Sequence, residues 1–361
     1  MDVRMDFVGN GVAQGDVANF LMANGRLDVG RMRPFIDDDG LSYIQVYVGG
    51  DPKDVSSYQM RPIQTNATLR PHEWRQLDEA VLKVAERQLV GIQDLITNGL
   101  VYNLGNAMGT TVLEYHDISD ALEAEMTMDG ISRAKGDRPV YTTNYLPLPI
   151  IHADYELNAR VLAASRNLGN PLDTTLAERA ARKVNEKLES LLFSNTTYSF
   201  GGGTIYSYLT HPKVQVADMK TAWTSATGET IVTDVITMKE KSLAKKHFGP
   251  WVLYIPAGYE AILDEDYGEA ADKNFITIRD RIKAIGGIQD IKVAYMLPAD
   301  TVVLVEMNPE VVRLVRGLGI QNVEWQTEGN MVTKYKVLTI QVPQIRADQE
   351  GNTGIVVLKQ V

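Results

Sequence analysis

The 361-residue sequence contains no cysteine. Disulfides, thiolate nucleophiles and zinc–thiolate sites are therefore excluded, although this absence alone does not fix a redox compartment. Histidine is scarce. His72, His116, His152, His211 and His247 stand far apart, none with a second ligand at metal-site spacing, so each is expected to be structural or exposed. No run approaches the roughly 18 apolar residues needed to span a bilayer. The opening MDVRMDFVGNG also lacks the basic segment and apolar core of a secretion signal, a pattern that suits a protein made and used in the cytosol. Net positive charge is missing too: a formal charge of −10 opposes tight phosphate binding, which needs a dense Lys/Arg face.

Enzyme signatures are equally sparse. Gly201-Gly202-Gly203 is followed by no Lys-Ser/Thr pair and preceded by no clear strand, so it reads as a hinge rather than a phosphate loop. Asp264, Glu265 and Asp266 are three adjacent acids at a helix end, in principle magnesium ligands but expected to be solvated. No serine sits in a nucleophile elbow and no dinucleotide fingerprint occurs. No catalytic, metal or cofactor-binding residue is assigned, and no cofactor is expected.

What is present is a chain with 44% hydrophobic residues, ample for two or three lobes with real cores. Its organising stretch is a helix over Thr175 to Phe193. Leu176, Ala180, Val184, Leu188 and Leu192 recur every fourth residue, with Ala177, Ala181 and Leu191 beside them. Thr175 and Glu178 stand at capping-box spacing. Residues 1–70 are glycine-punctuated with short apolar groups, which predicts an arm needing a partner surface. Within it, a short helix is expected from Asp16 to Gly25 and a strand over Ser42 to Val48. Phe20, Phe35, Ile36, Tyr43 and Tyr47 are too apolar for a solvated tail, and Arg26, Arg31 and Arg33 are expected to pair with carboxylates.

From Pro71 a helix presents Trp74, Leu77, Val81, Val84 and Leu89 along one side, with Gly99 as its stop. Leu113 to Ile118 and Val140 to Ile151 then read as the arms of a long two-stranded loop. An isolated ribbon is marginal in water, so its tip residues Met126, Met128 and Ile131, with Arg133 and Lys135, are candidate contacts to a neighbour. Leu146-Pro-Leu-Pro149 is expected to be an edge or hinge, because proline lacks a ladder donor. After a flexible passage over residues 194–212, helices at Thr230 to His247, Ala257 to Leu263 and Thr277 to Ile285 alternate with strands at Trp251 to Ile255, Ile291 to Tyr295 and Thr301 to Met307, which predicts a small α/β unit. Gln321 to Gln326 and Val332 to Val342 flank a Glu328-Gly329-Asn330 turn, with Leu338, Ile340 and Val342 on one face. These strands, with Ile355 to Leu358, are expected to run back to the spine helix.

The stretch LPLPIIHADYELNARVLAASRNLGNPLDTTLAERAARKVNEKLESLLF resembles the segment shared by tailed-bacteriophage major capsid proteins of the Hong Kong 97 type and by encapsulins. In that family a proline-bearing strand leaves an extended loop and leads into a long spine helix. Trp74-Arg-Gln-Leu77-Asp78-Glu-Ala80 is similar to the tryptophan helix that precedes the loop in encapsulins, and Trp251-Val-Leu-Tyr-Ile-Pro-Ala-Gly-Tyr259 to an axial-domain strand and helix. The resemblance covers about residues 70–361 and lies in the order of elements more than in any one motif.

It implies an α+β subunit with an N-terminal arm at 1–70, a peripheral helix region at 71–109, an extended loop at 110–150 and a peripheral domain with the spine at 151–212. An axial domain at 213–317 and returning peripheral strands at 318–361 complete it. The implied function is a capsid protein assembling as hexamers and pentamers into an icosahedral head shell around double-stranded DNA. Such a protein is made in the host cytoplasm, resides in the virion, contacts DNA non-specifically and has no membrane partner. Some 70 residues before the tryptophan helix favour a capsid over a compact encapsulin, and the short arm implies a separate scaffolding protein, with a portal and decoration protein as further partners. The alternatives are an encapsulin nanocompartment shell and a soluble α/β enzyme. The resemblance also brings a Lys135 to Asn352 cross-link into view, for which no partner carboxylate is assigned.

Overall fold

A computed structural model of the chain describes residues 7–8, 12–13, 33–37, 41–48, 54–62, 69–88, 90–105, 108–118, 128, 141–160, 162–163, 174–267, 276–328, 331–347 and 352–360. β1 (Phe7–Val8) and β2 (Val12–Ala13) form a short pair, and β3 (Phe35–Ile36), β4 (Ser42–Tyr47) and β5 (Tyr58–Pro62) an antiparallel sheet. Helices α1 (Pro71–Gln88) and α2 (Val90–Thr97) precede β6 (Val101–Asn103). The antiparallel ribbon of β7 (Val112–Ile118) and β8 (Tyr141–Pro147) is followed by β9 (Ile151–Asn158) and the spine helix α3 (Thr175–Phe193). Then come the β10 (Tyr198–Phe200) and β11 (Gly203–Ile205) hairpin, β12 (Gln215–Met219), α4 (Gly228–Ala244), β13 (Trp251–Ile255), α5 (Glu260–Leu263) and α6 (Ile278–Lys283). The last elements are β14 (Ile288–Val293), β15 (Thr301–Glu306), β16 (Val312–Glu328), β17 (Val332–Ile345) and β18 (Ile355–Gln360).

The peripheral lobe is a four-stranded sheet in the order β6-β16-β17-β9, with α1 and α3 on one face. Strand periodicity sorts its residues. Tyr335 and Val337 of β17 point to the helices, where Tyr335 stacks on Tyr155 at 5.3 Å and receives the edge of Trp74 at 5.6 Å. Ile340 and Val342 point the other way, against Leu146, Leu148 and Ile205 at the base of the ribbon.

The second lobe is a five-stranded mixed sheet, β12-β18-β15-β13-β14. Its central strands are buried on both faces and so read as unbroken apolar runs rather than alternating ones. Trp251, Leu253, Val302, Leu304, Val356 and Leu358 lie under α4 and α6, whereas Val252, Tyr254, Val303, Val305 and Val357 face the end of the spine helix. One apolar core therefore runs from α3 into the axial sheet, and the two lobes share it.

Three expectations need correction. β18 is not a peripheral strand: it lies between β12, with which it is parallel, and β15, with which it is antiparallel. A short run of apolar residues fits either sheet, and β18 is held beside β15, where Glu306 N donates to Gly354 O at 2.9 Å. The returning hairpin also starts earlier than residue 318, because β16 begins at Val312. Finally, Thr175 is not the cap of α3. Thr174 occupies that position, and its hydroxyl donates to Glu178 Oε1 at 3.0 Å instead of accepting from a backbone amide. Leu176 is then turned out of the core and is 40% exposed, leaving Ala177, Ala180, Ala181, Val184, Leu188, Leu191 and Leu192 as the buried stripe.

Candidate functional site

The ribbon and its seat come first. β7 and β8 pair from Val112–Pro147 out to Ile118–Tyr141. Leu113, Tyr115 and Leu146 join the cluster under Ile340 and Val342, while His116, Thr142 and Thr143 further out are exposed. Gly201-Gly202-Gly203, read from sequence as a hinge, is the turn and first strand residue of the β10–β11 hairpin that holds this base. Gly201 and Gly202 have φ of +57° and +80°, which suits glycine in a tight turn. At Gly203 the requirement is space: a Cβ would fall inside the Tyr145 carbonyl oxygen of β8. Met128 of the loop between β7 and β8 is fully exposed. The other residues named from sequence for the tip, Met126, Ile131, Arg133 and Lys135, lie outside the described residues, as do Phe20 and the helix expected after Asp16.

Residues 33–36 of the arm dock on their own chain. Phe35 is buried in the peripheral core with Tyr43 packed beside it, so Phe35 has little surface to offer a neighbour. Trp74 Nε1 donates to the Pro34 carbonyl at 3.1 Å, and Ile36 N donates to Leu69 O at 3.0 Å. Arg33 reaches both carboxylate oxygens of Asp78, at 2.7 and 2.8 Å, and stacks 4.7 Å from the Trp74 ring centroid.

A buried polar joint links the lobes. Asn185 and Glu189, one turn apart on α3, interrupt the apolar stripe and are both buried. The Glu189 carboxylate accepts from Gly91 N at 2.6 Å and Ile92 N at 3.4 Å, amides in the first turn of α2, where the helix dipole favours an anion. Gly91 is required for this approach, since a Cβ there would come within 2.6 Å of Phe193 Cε2. One turn along α2, Asp94 accepts from Tyr254 OH of β13 at 2.8 Å and pairs with Lys292 Nζ of β14. Among the described residues, the Tyr208 hydroxyl and the Asn185 amide are buried and have no hydrogen-bond partner.

Burial pushes the Glu189 carboxyl up from 4.5 to about 7, opposed by the Gly91 and Ile92 amides and reinforced by Asp94. His211 moves the other way. Burial, with nearby Lys213, lowers it from 6.5 to about 4; its Nδ1 accepts from Lys213 N at 3.3 Å.

These shifts have opposite consequences. A carboxyl raised in the folded state gives stability that is full below the unfolded value of 4.5 and is lost as pH rises to about 7, a change of about 3 kcal/mol. A histidine lowered in the folded state gives stability that is full above 6.5 and is lost as pH falls toward 4. In the shared interval the slopes oppose each other. Glu189→Gln is therefore expected to make melting temperature rise more steeply with pH across that interval than in the unmodified chain. It is also expected to be the more stable protein in mildly alkaline buffer. Thermal melts across pH check this, and parallel profiles would contradict the assignment.

Two further acidic side chains are held in local pairs. Glu306 is buried and accepts from His247 Nδ1 at 2.5 Å and Gly249 N at 3.1 Å. Asp264 accepts from Arg279 Nε at 2.7 Å. Among the described residues, no group of three or more His, Asp or Glu is placed to hold a metal ion, and no helix is long and apolar enough to cross a membrane. Sequence reasoning missed the joint. Asn185 and Glu189 were visible only as two polar residues inside an apolar stripe.

Residues 64–358 match the model of a family of unknown function, DUF6260. The type 1 encapsulin shell protein EncA of Myxococcus xanthus (strain DK1622) is 26% identical over 216 residues, which is 58% of this chain and 69% of that protein. The virus-like particle from Pyrococcus furiosus superposes with a TM-score of 0.58 at 18% identity, covering 79% of this chain and 98% of its own. The capsid of Myoviridae Phage XM1 superposes with a TM-score of 0.58 at 9% identity, covering 76% of this chain and 94% of its own. The fold is thus shared with shells of different origin. The chain belongs to the DUF6260 family, and its fold is the Hong Kong 97-like capsid fold.

Proposed function

We propose that this chain is the major capsid protein of a tailed bacteriophage, assembling as hexamers and pentamers into the icosahedral shell that encloses double-stranded DNA. The observation that carries the reading is the β7–β8 ribbon. It is anchored to its own chain at the Val112–Pro147 end and carries exposed residues beyond it, a geometry that a lone two-stranded ribbon does not hold well in water. A neighbouring subunit supplies the missing surface. Each contact can be modest, because closure of a shell makes later contacts effectively intramolecular. The role is structural, with no reaction assigned to any residue. A separate scaffolding protein, a portal and a decoration protein are its expected partners, and the virion is its expected location.

A second reading, an encapsulin nanocompartment, is favoured by the match to an encapsulin shell protein. The arm sheet β3–β5 ahead of α1 supports the capsid, since compact encapsulins start near the tryptophan helix. Particles purified from the producing cells separate the two. The capsid reading predicts nuclease-protected double-stranded DNA inside them; an enzyme cargo without DNA would replace it with the compartment.

A further inference from the structure

The spine helix has a second face. Opposite its buried stripe, Arg179, Arg182, Lys183 and Lys187 are exposed. Spacings of three, four and eight residues from Arg179 place all four on one side of α3, along about 12 Å of axis. Among the described residues, the carboxylates on the same helix are few. Glu186 takes Lys183 at 2.6 Å, Glu178 at the margin accepts the Thr174 hydroxyl, and Glu189 is turned into the joint. Four cations against two carboxylates is a local reversal in a chain of formal charge −10.

The surroundings sharpen the contrast. On β9, Tyr155 and Leu157 point to the helix side, while Asp154 and Glu156 are exposed on the other face of the sheet. Exposed Asp218, Glu229, Glu240, Glu260, Asp264 and Glu265 are spread over the axial lobe. The spine helix thus carries four exposed cations along one side, whereas on the axial lobe exposed Lys220, Lys246, Arg281, Lys283 and Lys359 stand among those carboxylates.

We infer that this row, Arg179, Arg182, Lys183 and Lys187, is a contact surface for double-stranded nucleic acid, read through its phosphates alone. The inference rests on the capsid reading. Duplex DNA presents a phosphate about every 3.4 Å of axis on each strand, so a 12 Å row matches roughly three or four of them. No exposed aromatic side chain lies within the row to stack on a base, which leaves a contact without sequence preference. Each subunit contributes a weak contact that repetition around the shell multiplies, and the surrounding acidity keeps the nucleic acid loosely held.

The full-length chain titrated with a short labelled DNA duplex at several salt concentrations tests this. Four phosphate contacts predict a log–log salt slope of about −3 to −4, and Arg182→Gln with Lys183→Gln is expected to flatten it by about 2. Lys220→Gln with Lys359→Gln removes the same charge from the axial lobe and is expected to leave the slope unchanged. An unchanged slope in the spine variant would overturn the inference, as would equal flattening in the axial variant. Displacement of the duplex by poly-glutamate at equal charge would reassign the row to an acidic protein partner and overturn it too. Negative-stain images of the chain expressed together with its neighbouring genes keep the two claims apart. Shells there with an unaltered slope in the spine variant sink this inference alone, whereas a flattened slope with no shells there sinks the capsid reading alone.

Discussion

Gly203→Val is expected to abolish particle formation while the axial lobe stays folded. A side chain at position 203 collides with the Tyr145 carbonyl, which is backbone of β8, so no rotamer change relieves the clash. The β10–β11 hairpin must lift away, opening the cluster of Leu146, Leu148 and Ile205 that seats the ribbon. Overpacking of this kind costs about 1–3 kcal/mol. The local cost is modest, but it falls on the element that, in the proposed shell, reaches a neighbouring subunit. Sedimentation should show more than a tenfold loss of particles. Near-ultraviolet dichroism from the buried Trp223 and Trp251 should persist. Normal particles from this variant would show that the ribbon's base does not control assembly.

Lys292→Met is expected to destabilise the chain by about 3 kcal/mol, because among the described residues it strands the buried Asp94 carboxylate with only the Tyr254 hydroxyl for a partner. Adding Asp94→Asn to that variant is expected to recover much of the loss, since the uncompensated charge is then gone. The coupling, read from denaturant midpoints of the two singles and the double, isolates the pair. Strictly additive losses would mean that Asp94 and Lys292 act independently. The effect should reach beyond one lobe, because Asp94 sits on α2 and Lys292 on β14, and their pair bridges the spine region to the axial sheet.

Much of the architecture was legible because it is written in local periodicity. The bounds of α3 follow from apolar residues at helical spacing, and the α/β character of the second lobe from strands and helices in alternation. The sheet membership of β18 was not legible: a doubly buried strand such as Ile355 to Leu358 carries no mark of which neighbours it pairs with. Leu176 illustrates a finer limit. One residue at the helix start was counted into the stripe, and a turn of about 100° carries it out to solvent. Gly203 was invisible for another reason. Its need for no side chain comes from the Tyr145 carbonyl, distant in sequence, so the glycine run could be tested against a phosphate loop and rejected without revealing its use. The joint of Asn185, Glu189, Asp94 and Lys292 is assembled from three separate elements and has no sequence signature beyond polar residues placed where apolar ones were expected.

The central claim is that this subunit is built to close a shell with copies of itself. Negative-stain imaging of the full-length chain, expressed alone and together with its neighbouring genes, addresses that claim most directly. The account predicts closed, uniform icosahedral particles in the joint expression and few regular ones from the chain alone. Abundant regular shells from the chain alone would remove the separate scaffolding protein from the account, and a chain that stays monomeric under both conditions would contradict the claim itself.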